Sequence, residues 1–218
     1  MQDGIDGRRI EAQDFASLLS TLRGCSWTQD HGDNAVLEMD FVETASYTEK
    51  VDAVMMSSHG NPNGFSVSKG SVSTGDTIKF GKGDLEVFAP QACKLLEHTA
   101  SKPVGRWCGA FNRLHCMCVF DNSSYSGGGQ NARGLYFAMY AAWRNAWMPW
   151  MPSMHWMPHY TSRVAWKMAH VMVEGSNVEW AYLRATAPGA DTCNEKLDTS
   201  EPADPVTKRS FWTAHAWC

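Results

Sequence analysis

Two short apolar runs dominate the hydrophobic pattern of the chain: Val51-Asp52-Ala53-Val54-Met55-Met56-Ser57-Ser58-His59-Gly60 and Asp84-Leu85-Glu86-Val87-Phe88-Ala89-Pro90-Gln91-Ala92-Cys93. Both are β-prone and bounded by Gly or Asp, which predicts buried strands of a mostly parallel sheet rather than amphipathic helices. In open α/β sheets ligands bind beyond the carboxyl ends of the strands. His59 and Cys93 end the two runs, so an imidazole and a thiol are expected on one rim.

Around these runs the pattern alternates between helix and strand. Phe15, Leu18, Leu19 and Leu22 recur at helical spacing, predicting an amphipathic helix over 14–22 that is closed by Gly24 and covers one sheet face. Residues 35–41 alternate like a strand. Residues 60–83, rich in Gly, Ser and Asn, read as an exposed loop or hairpin at the rim. Lys94-Leu95-Leu96-Glu97 looks like the opening of a helix, whose N-terminal partial charge would favour a Cys93 thiolate. A further strand is expected within 107–121, with His115, Met117 and Val119 on one face and Cys116, Cys118 and Phe120 on the other. Residues 122–131 read as a rim loop. Helices are expected over 132–147, with Leu135, Met139, Ala142, Trp143 and Ala146 on one stripe, and over 161–173. A strand over 178–183, a polar excursion over 186–209 and an apolar terminal strand or docked tail complete a single domain of residues 1–218.

The segment 147–160 stands apart. Pro149, Pro152 and Pro158 forbid a continuous helix, and its Trp and Met content is too apolar for a solvated loop. It must pack on something: an apolar lid over the Cys93 rim and a homodimer contact are the two readings.

The order of apolar strand, His-Gly, apolar strand, Gln-Ala-Cys resembles the caspase, legumain and gingipain superfamily of cysteine peptidases. Gln91-Ala92-Cys93 matches the start of the caspase signature, from which Lys94 and Leu95 depart. A closer resemblance is to a caspase-like domain family of unknown function that covers most of the chain. It rests on Glu38-Met39-Asp40-Phe41, Val51-Asp52, His59-Gly60-Asn61-Pro62-Asn63-Gly64-Phe65, Gly83-Asp84-Leu85-Glu86, Ala92-Cys93-Lys94-Leu95-Leu96, Trp107, Phe111-Asn112-Arg113-Leu114-His115 and Ala142-Trp143. The resemblance implies an α/β, caspase-hemoglobinase-like fold with a mostly parallel central sheet flanked by helices. It also implies Cys93 as nucleophile, His59 as proton-transfer partner, and the backbone N–H groups of Gly60 and Cys93 as oxyanion donors. Asn61, Phe65, Gln91, His115, Trp150, His155 and Trp156 are the expected substrate contacts.

Composition narrows the function. The net charge of −4, with Lys and Arg scattered, leaves no basic footprint for nucleic acid. No apolar run reaches the roughly 18 residues of a membrane span, and no signal peptide is evident at Met1. Seven cysteines at irregular spacing fit reduced thiols, so a cytoplasmic protein is expected. His115, Cys116 and Cys118 diverge on a strand, and Pro158 interrupts the His155/His159 pair, so no metal or other cofactor is expected. Ten Trp and twelve Met suit irregular apolar pockets. Three functions follow as expectations. The first is acyl transfer on a peptide or amide, by hydrolysis, ligation or cyclisation. The second is a non-proteolytic cyclase or isomerase holding a small hydrophobic substrate in an aromatic-lined pocket. The third is a catalytically silent binding module.

Overall fold

The computed structural model describes residues 5–23, 36–41, 48–76, 78–83, 85–100, 102–125, 132–142, 160–186, 197 and 210–218. Both apolar runs form strands, β1 (Ala53–Ser57) and β5 (Val87–Gln91). They pair in parallel with Ala53 opposite Val87 and Ser57 opposite Gln91, so they end at the same level. Between them, β2 (Gly60–Asn61), β3 (Gly64–Val67) and β4 (Gly70–Ser73) make a small antiparallel sheet, the hairpin form of the rim segment.

The main sheet has the order β1-β5-β6-β7-β8, completed by β6 (Cys116–Phe120), β7 (Glu179–Thr186) and β8 (Ser210–Trp217). It is mixed rather than mostly parallel: β1, β5 and β6 pair in parallel, whereas β6 with β7 and β7 with β8 pair antiparallel. β8 is an edge strand, exposed or half-buried at every position.

Side-chain alternation sorts the core into two layers. Val87, Ala89, Cys116, Cys118, Phe120, Trp180 and Tyr182 face a helical layer. It is built from α1 (Ile5–Arg23), α3 (Arg133–Ala142) and α4 (Ser162–Val173). Phe88, Met117, Val119, Ala181 and Leu183 face the opposite layer, with Phe65, Ile78, Phe80, Leu95, Leu96 and Trp107. Trp107 follows from the short helix α2 (Pro103–Trp107), and its Nε1 donates to Leu95 O at 2.9 Å. In this second layer the Phe88 ring lies 4.6 Å from Phe80 and 5.8 Å from Phe65. Phe65, expected at the substrate, is therefore a core residue, 1% exposed.

Three local expectations need correction. Residues 38–40 form a 3-10 turn, not a strand, because the Asp40 carboxylate accepts the Leu37 N–H at 2.7 Å and curls the chain. No helix opens after Cys93. Lys94 takes φ +63°, and the Lys94 and Leu96 N–H groups bond Asn122 O and Phe120 O at 3.1 and 3.2 Å, extending the pairing toward β6. On α3, Leu135 is exposed, while Phe137, Ala138, Ala141 and Ala142 are buried. The continuation of that stripe through Trp143 and Ala146, the segment 147–159 and nearly all of the polar excursion lie outside the described residues. Among the described residues, no helix is long and apolar enough to cross a membrane.

The helical layer depends on one close approach. A Cβ on Gly134 of α3 would lie 1.8 Å from Glu11 O of α1, so any side chain there forces the helices apart. Gly134→Ala should cost about 1–3 kcal/mol or more by overpacking. Gly109→Ala, where a Cβ meets nothing within 4 Å, should stay within about 0.5 kcal/mol. Urea unfolding of both variants checks this, and equal losses would refute the packing account.

Candidate functional site

The chain leaving β1 crosses directly over the chain leaving β5. Ser58 N–H donates to Gln91 O at 3.2 Å, which extends the parallel pairing by one residue. Gly60 then lies so close to the partner strand that a Cβ would sit 2.6 Å from Cys93 O and 2.7 Å from Ala92 Cβ. Only glycine fits there. Ser66 N–H donates to His59 O at 2.8 Å, so Gly60 and Phe65 form the non-bonded pair of the β2–β3 ladder, and the Gly60 N–H points away from β3. His59 itself is exposed at this crossing. The backbone of the His-Gly pair and that of Cys93 therefore meet on one rim, as the two apolar runs suggested.

The Cys93 thiol is half-buried. Ser124 N–H donates to its sulfur at 3.3 Å, and the S–H can donate to Ser124 O at 3.4 Å. Ser124 in turn links the thiol to a buried charge cluster in the helical layer. Its hydroxyl donates to Glu174 Oε1 at 2.9 Å and meets the Arg133 guanidinium. Arg133 bonds Glu11 Oε1 through Nε at 3.0 Å and Nη2 at 2.6 Å, bonds Tyr125 O at 2.8 Å, and pairs with Glu174. One guanidinium thus serves two carboxylates, all of them buried.

That arrangement shifts the acids upward. Burial raises Glu11 to about 7, even though the Arg133 charge and the Ser57 hydroxyl pull it down. Burial raises Glu174 as well, against the same guanidinium. His170, whose Nδ1 lies 2.6 Å from Trp166 O, is lowered to about 3, first by burial and then by the Arg133 charge. Glu11 Oε2, Glu174 Oε2 and His170 Nε2 have no hydrogen-bond partner among the described residues. Gln91 belongs to the same layer, since it continues the alternation of Val87 and Ala89. It is 4% exposed, and both polar atoms of its amide are buried with no hydrogen-bond partner among the described residues.

The remaining expected contacts separate. Asn61 Oδ1 accepts the Asn63 N–H at 2.8 Å and shapes the β2–β3 turn. His115 is buried at the amino end of β6, where its N–H donates to Glu86 O. The five residues of β6 hold it roughly 16 Å from the carboxyl rim, so it is no part of the Cys93 site. Trp150, His155 and Trp156 lie outside the described residues.

Sequence reasoning missed two groups. Glu11 falls at helical spacing with Phe15, Leu18 and Leu19, an acid on an apolar stripe, and that was a readable signal. The second group, His98, Asp121, Glu179 and His215, comes from four separated segments. His98 Nδ1 lies 2.7 Å from Asp121 Oδ1, and His215 Nδ1 lies 2.6 Å from Glu179 Oε1. The hydrogen bond to Asp121, followed by its charge, raises His98. The trio first weighed as metal ligands is split: Cys116 and Cys118 face the helical layer, and burial drives the Cys118 thiol well up.

A family model described as a domain of unknown function, DUF6345, matches residues 1–217, and the chain belongs to that family. No curated protein and no solved structure matches it.

The charge cluster sets the pH dependence of stability. Glu11 holds its proton up to about pH 7 when folded but only to 4.5 by its ordinary value, so the native state binds more protons in between. The stability this contributes is fully present below pH 4.5 and is lost as the pH rises through about 7. His170 acts oppositely: its contribution is present above pH 6.5 and is lost as the pH falls toward about 3. Glu11→Gln removes only the first effect. Its stability relative to wild type should therefore rise by on the order of 3 kcal/mol between pH 5 and pH 8, read by urea unfolding at each pH. Parallel curves for the two proteins would show that Glu11 is not held protonated.

Proposed function

We propose that the carboxyl rim is a cysteine–histidine site for acyl transfer on a peptide or amide, of the kind that the resemblance of the His-Gly and Gln-Ala-Cys segments to caspase-like peptidases implies. Cys93 attacks the carbonyl carbon, its sulfur forming the new bond as its proton passes to His59. The oxyanion is held by the N–H groups of Gly60 and Cys93, and collapse of the tetrahedral intermediate expels an amine that takes the proton from His59. Water then resolves the acyl-enzyme in hydrolysis, and a second amine does so in ligation or cyclisation.

The observation that carries this reading is the seating of Gly60 against Ala92 and Cys93, so close that a Cβ added there would lie 2.6 Å from Cys93 O. Two strands need not end in such contact for the sake of the core. The contact joins the backbone of the His59-Gly60 pair to that of Cys93, and the Gly60 N–H points away from its hairpin partner, which supports the reading. Activation of the sulfur falls to His59 and to the Ser124 N–H, because the turn at Lys94 supplies no helix dipole. Gln91, whose buried amide has no hydrogen-bond partner among the described residues, suits a substrate amide as its partner.

A second reading, a pocket enzyme that rearranges a small substrate without an acyl-enzyme, is favoured by the raised acids Glu11 and Glu174 beside Ser124. It keeps the rim and moves proton transfer to the carboxyls.

Cys93 and Cys108 are both half-buried free thiols, so exposure does not distinguish them. Under limiting iodoacetamide, Cys93 should alkylate at least about tenfold faster than Cys108, and His59→Ala should remove most of that difference. Peptide mass spectrometry gives both rates in one sample. Equal rates at the two cysteines would rule out the nucleophile and leave the pocket reading.

A further inference from the structure

The quartet His98, Asp121, Glu179 and His215 occupies the same rim on the face away from the helical layer. Asp121 continues the alternation of Met117 and Val119, and Glu179 that of Ala181 and Leu183, which line the second layer. His215 pairs with Ala181 across β7 and β8 and so shares its face. His98 arrives from the turn that follows Cys93, and its backbone N–H bonds both Asp121 oxygens at 3.2 Å. Two strand positions, the residue that follows β6 and one turn residue therefore bring two imidazole nitrogens and two carboxylates to one point, with all four ligand atoms within 4.8 Å of one another.

We propose that His98 Nδ1, His215 Nδ1 and one oxygen from each of Asp121 and Glu179 bind a divalent transition-metal ion, Zn2+. Geometry supports this first. The four nitrogen-to-oxygen separations are 2.7, 2.6, 4.0 and 3.9 Å. The two short separations are to Asp121 Oδ1 and Glu179 Oε1 and the two long ones to Glu179 Oε2 and Asp121 Oδ2, so each imidazole reaches both carboxylates, at distances on either side of the roughly 3.3 Å edge of a tetrahedron with metal–ligand bonds of about 2.0–2.1 Å. Small side-chain rotations suffice to equalise them.

Charge supports it independently. Asp121 and Glu179 are both buried, at 3% and 5% exposure, and their segments are tied by the Asp121 N–H to Glu179 O bond at 3.0 Å. Two carboxylates held together at low dielectric repel each other. The two imidazoles stack at 4.8 Å and 18°, so both rings reach the same point. A dication with two imidazole and two carboxylate ligands sums to zero. Two nitrogen and two oxygen donors suit Zn2+, whereas Ca2+ and Mg2+ favour oxygen alone.

The supporting bonds also fit a metal centre. Asn122 Oδ1 accepts the Glu179 N–H at 2.8 Å, while Asn122 Nδ2 donates to Asn177 O at 2.9 Å, fixing the strand end that presents Glu179. The bound ion would fasten the Cys93 turn to β6, β7 and β8 through His98. The site stands whether or not Cys93 is a nucleophile.

The test uses the full chain, stripped with a chelator and titrated with Zn2+ alone by calorimetry, with Co2+ as a spectroscopic substitute. One ion per chain is expected. The Co2+ form should show the visible bands of tetrahedral nitrogen and oxygen coordination without a thiolate charge-transfer band. His98→Gln and His215→Gln should each weaken Zn2+ at least tenfold and abolish the rise in melting temperature that Zn2+ gives the wild type. Both imidazoles are on the surface, with side chains 47% and 42% exposed, so these variants should fold even if Asp121→Asn does not. Absence of binding, binding unchanged in both histidine variants, or a thiolate band would each overturn the proposal.

Discussion

The register of two parallel strands governs everything built at the rim. Because Ala53 is opposite Val87, β1 and β5 finish together at Ser57 and Gln91, and the chains leaving them must cross in the same place. A slip of β5 by one residue would turn Phe88 and Pro90 to the other face and separate Gly60 from Cys93. The slip is prevented by packing: Phe88 is fully buried among aromatic rings on one side, and Val87 and Ala89 are equally buried against the helical layer. The hydrophobic core thus sets the geometry of the candidate chemistry, although no core residue takes part in it.

Beside this register stands a costly feature, the burial of Glu11, Arg133 and Glu174. Moving such groups out of water costs several kcal/mol each unless hydrogen bonds and opposite charge compensate. Compensation is incomplete here, since one oxygen of each carboxyl has no partner among the described residues and burial raises both acids. A purely structural ion pair would be better served by one acid. The second acid is linked through Ser124 to the Cys93 sulfur, so a buried carboxyl held above its ordinary range stands one residue from the thiol. The closeness of Gly134 to Glu11 shows how tightly the helical layer has been drawn around it.

How much was legible in the sequence follows from what periodicity can encode. Continuous apolar runs identified β1 and β5, alternation assigned the two faces of β6 correctly, and Phe15 and Leu19 gave the buried stripe of α1. These are local patterns imposed by burial. The turn at Lys94 was misread as a helix because Lys, Leu, Leu and Glu all favour helices, while the bonds to Asn122 O and Phe120 O that override this preference are tertiary. Residues 38–40 were misread for a similar reason: one side-chain bond from Asp40 outweighs an alternating pattern. The quartet was invisible because its members are separated in sequence and meet only through the order of β6, β7 and β8. A His and an Asp placed far apart carry no spacing signal.

The two polar groups lie on opposite faces of the sheet, and that separation follows from alternation along the strands. At the carboxyl end of β6, Phe120 faces the helical layer, Asp121 faces away from it, and the chain then reaches Ser124, which lies against Cys93 and Arg133. One short stretch therefore feeds both groups. The turn after Cys93 does the same in reverse: its thiol meets Ser124, while His98 reaches across to Asp121. Cys93 is consequently held between two charged anchors, neither of which touches it directly. A turn fixed on both sides holds the sulfur in one position relative to β6, which the proposed acyl transfer would use. An antiparallel β7 is the natural means to this end, because it alone brings the start of a strand, Glu179, level with the end of β6.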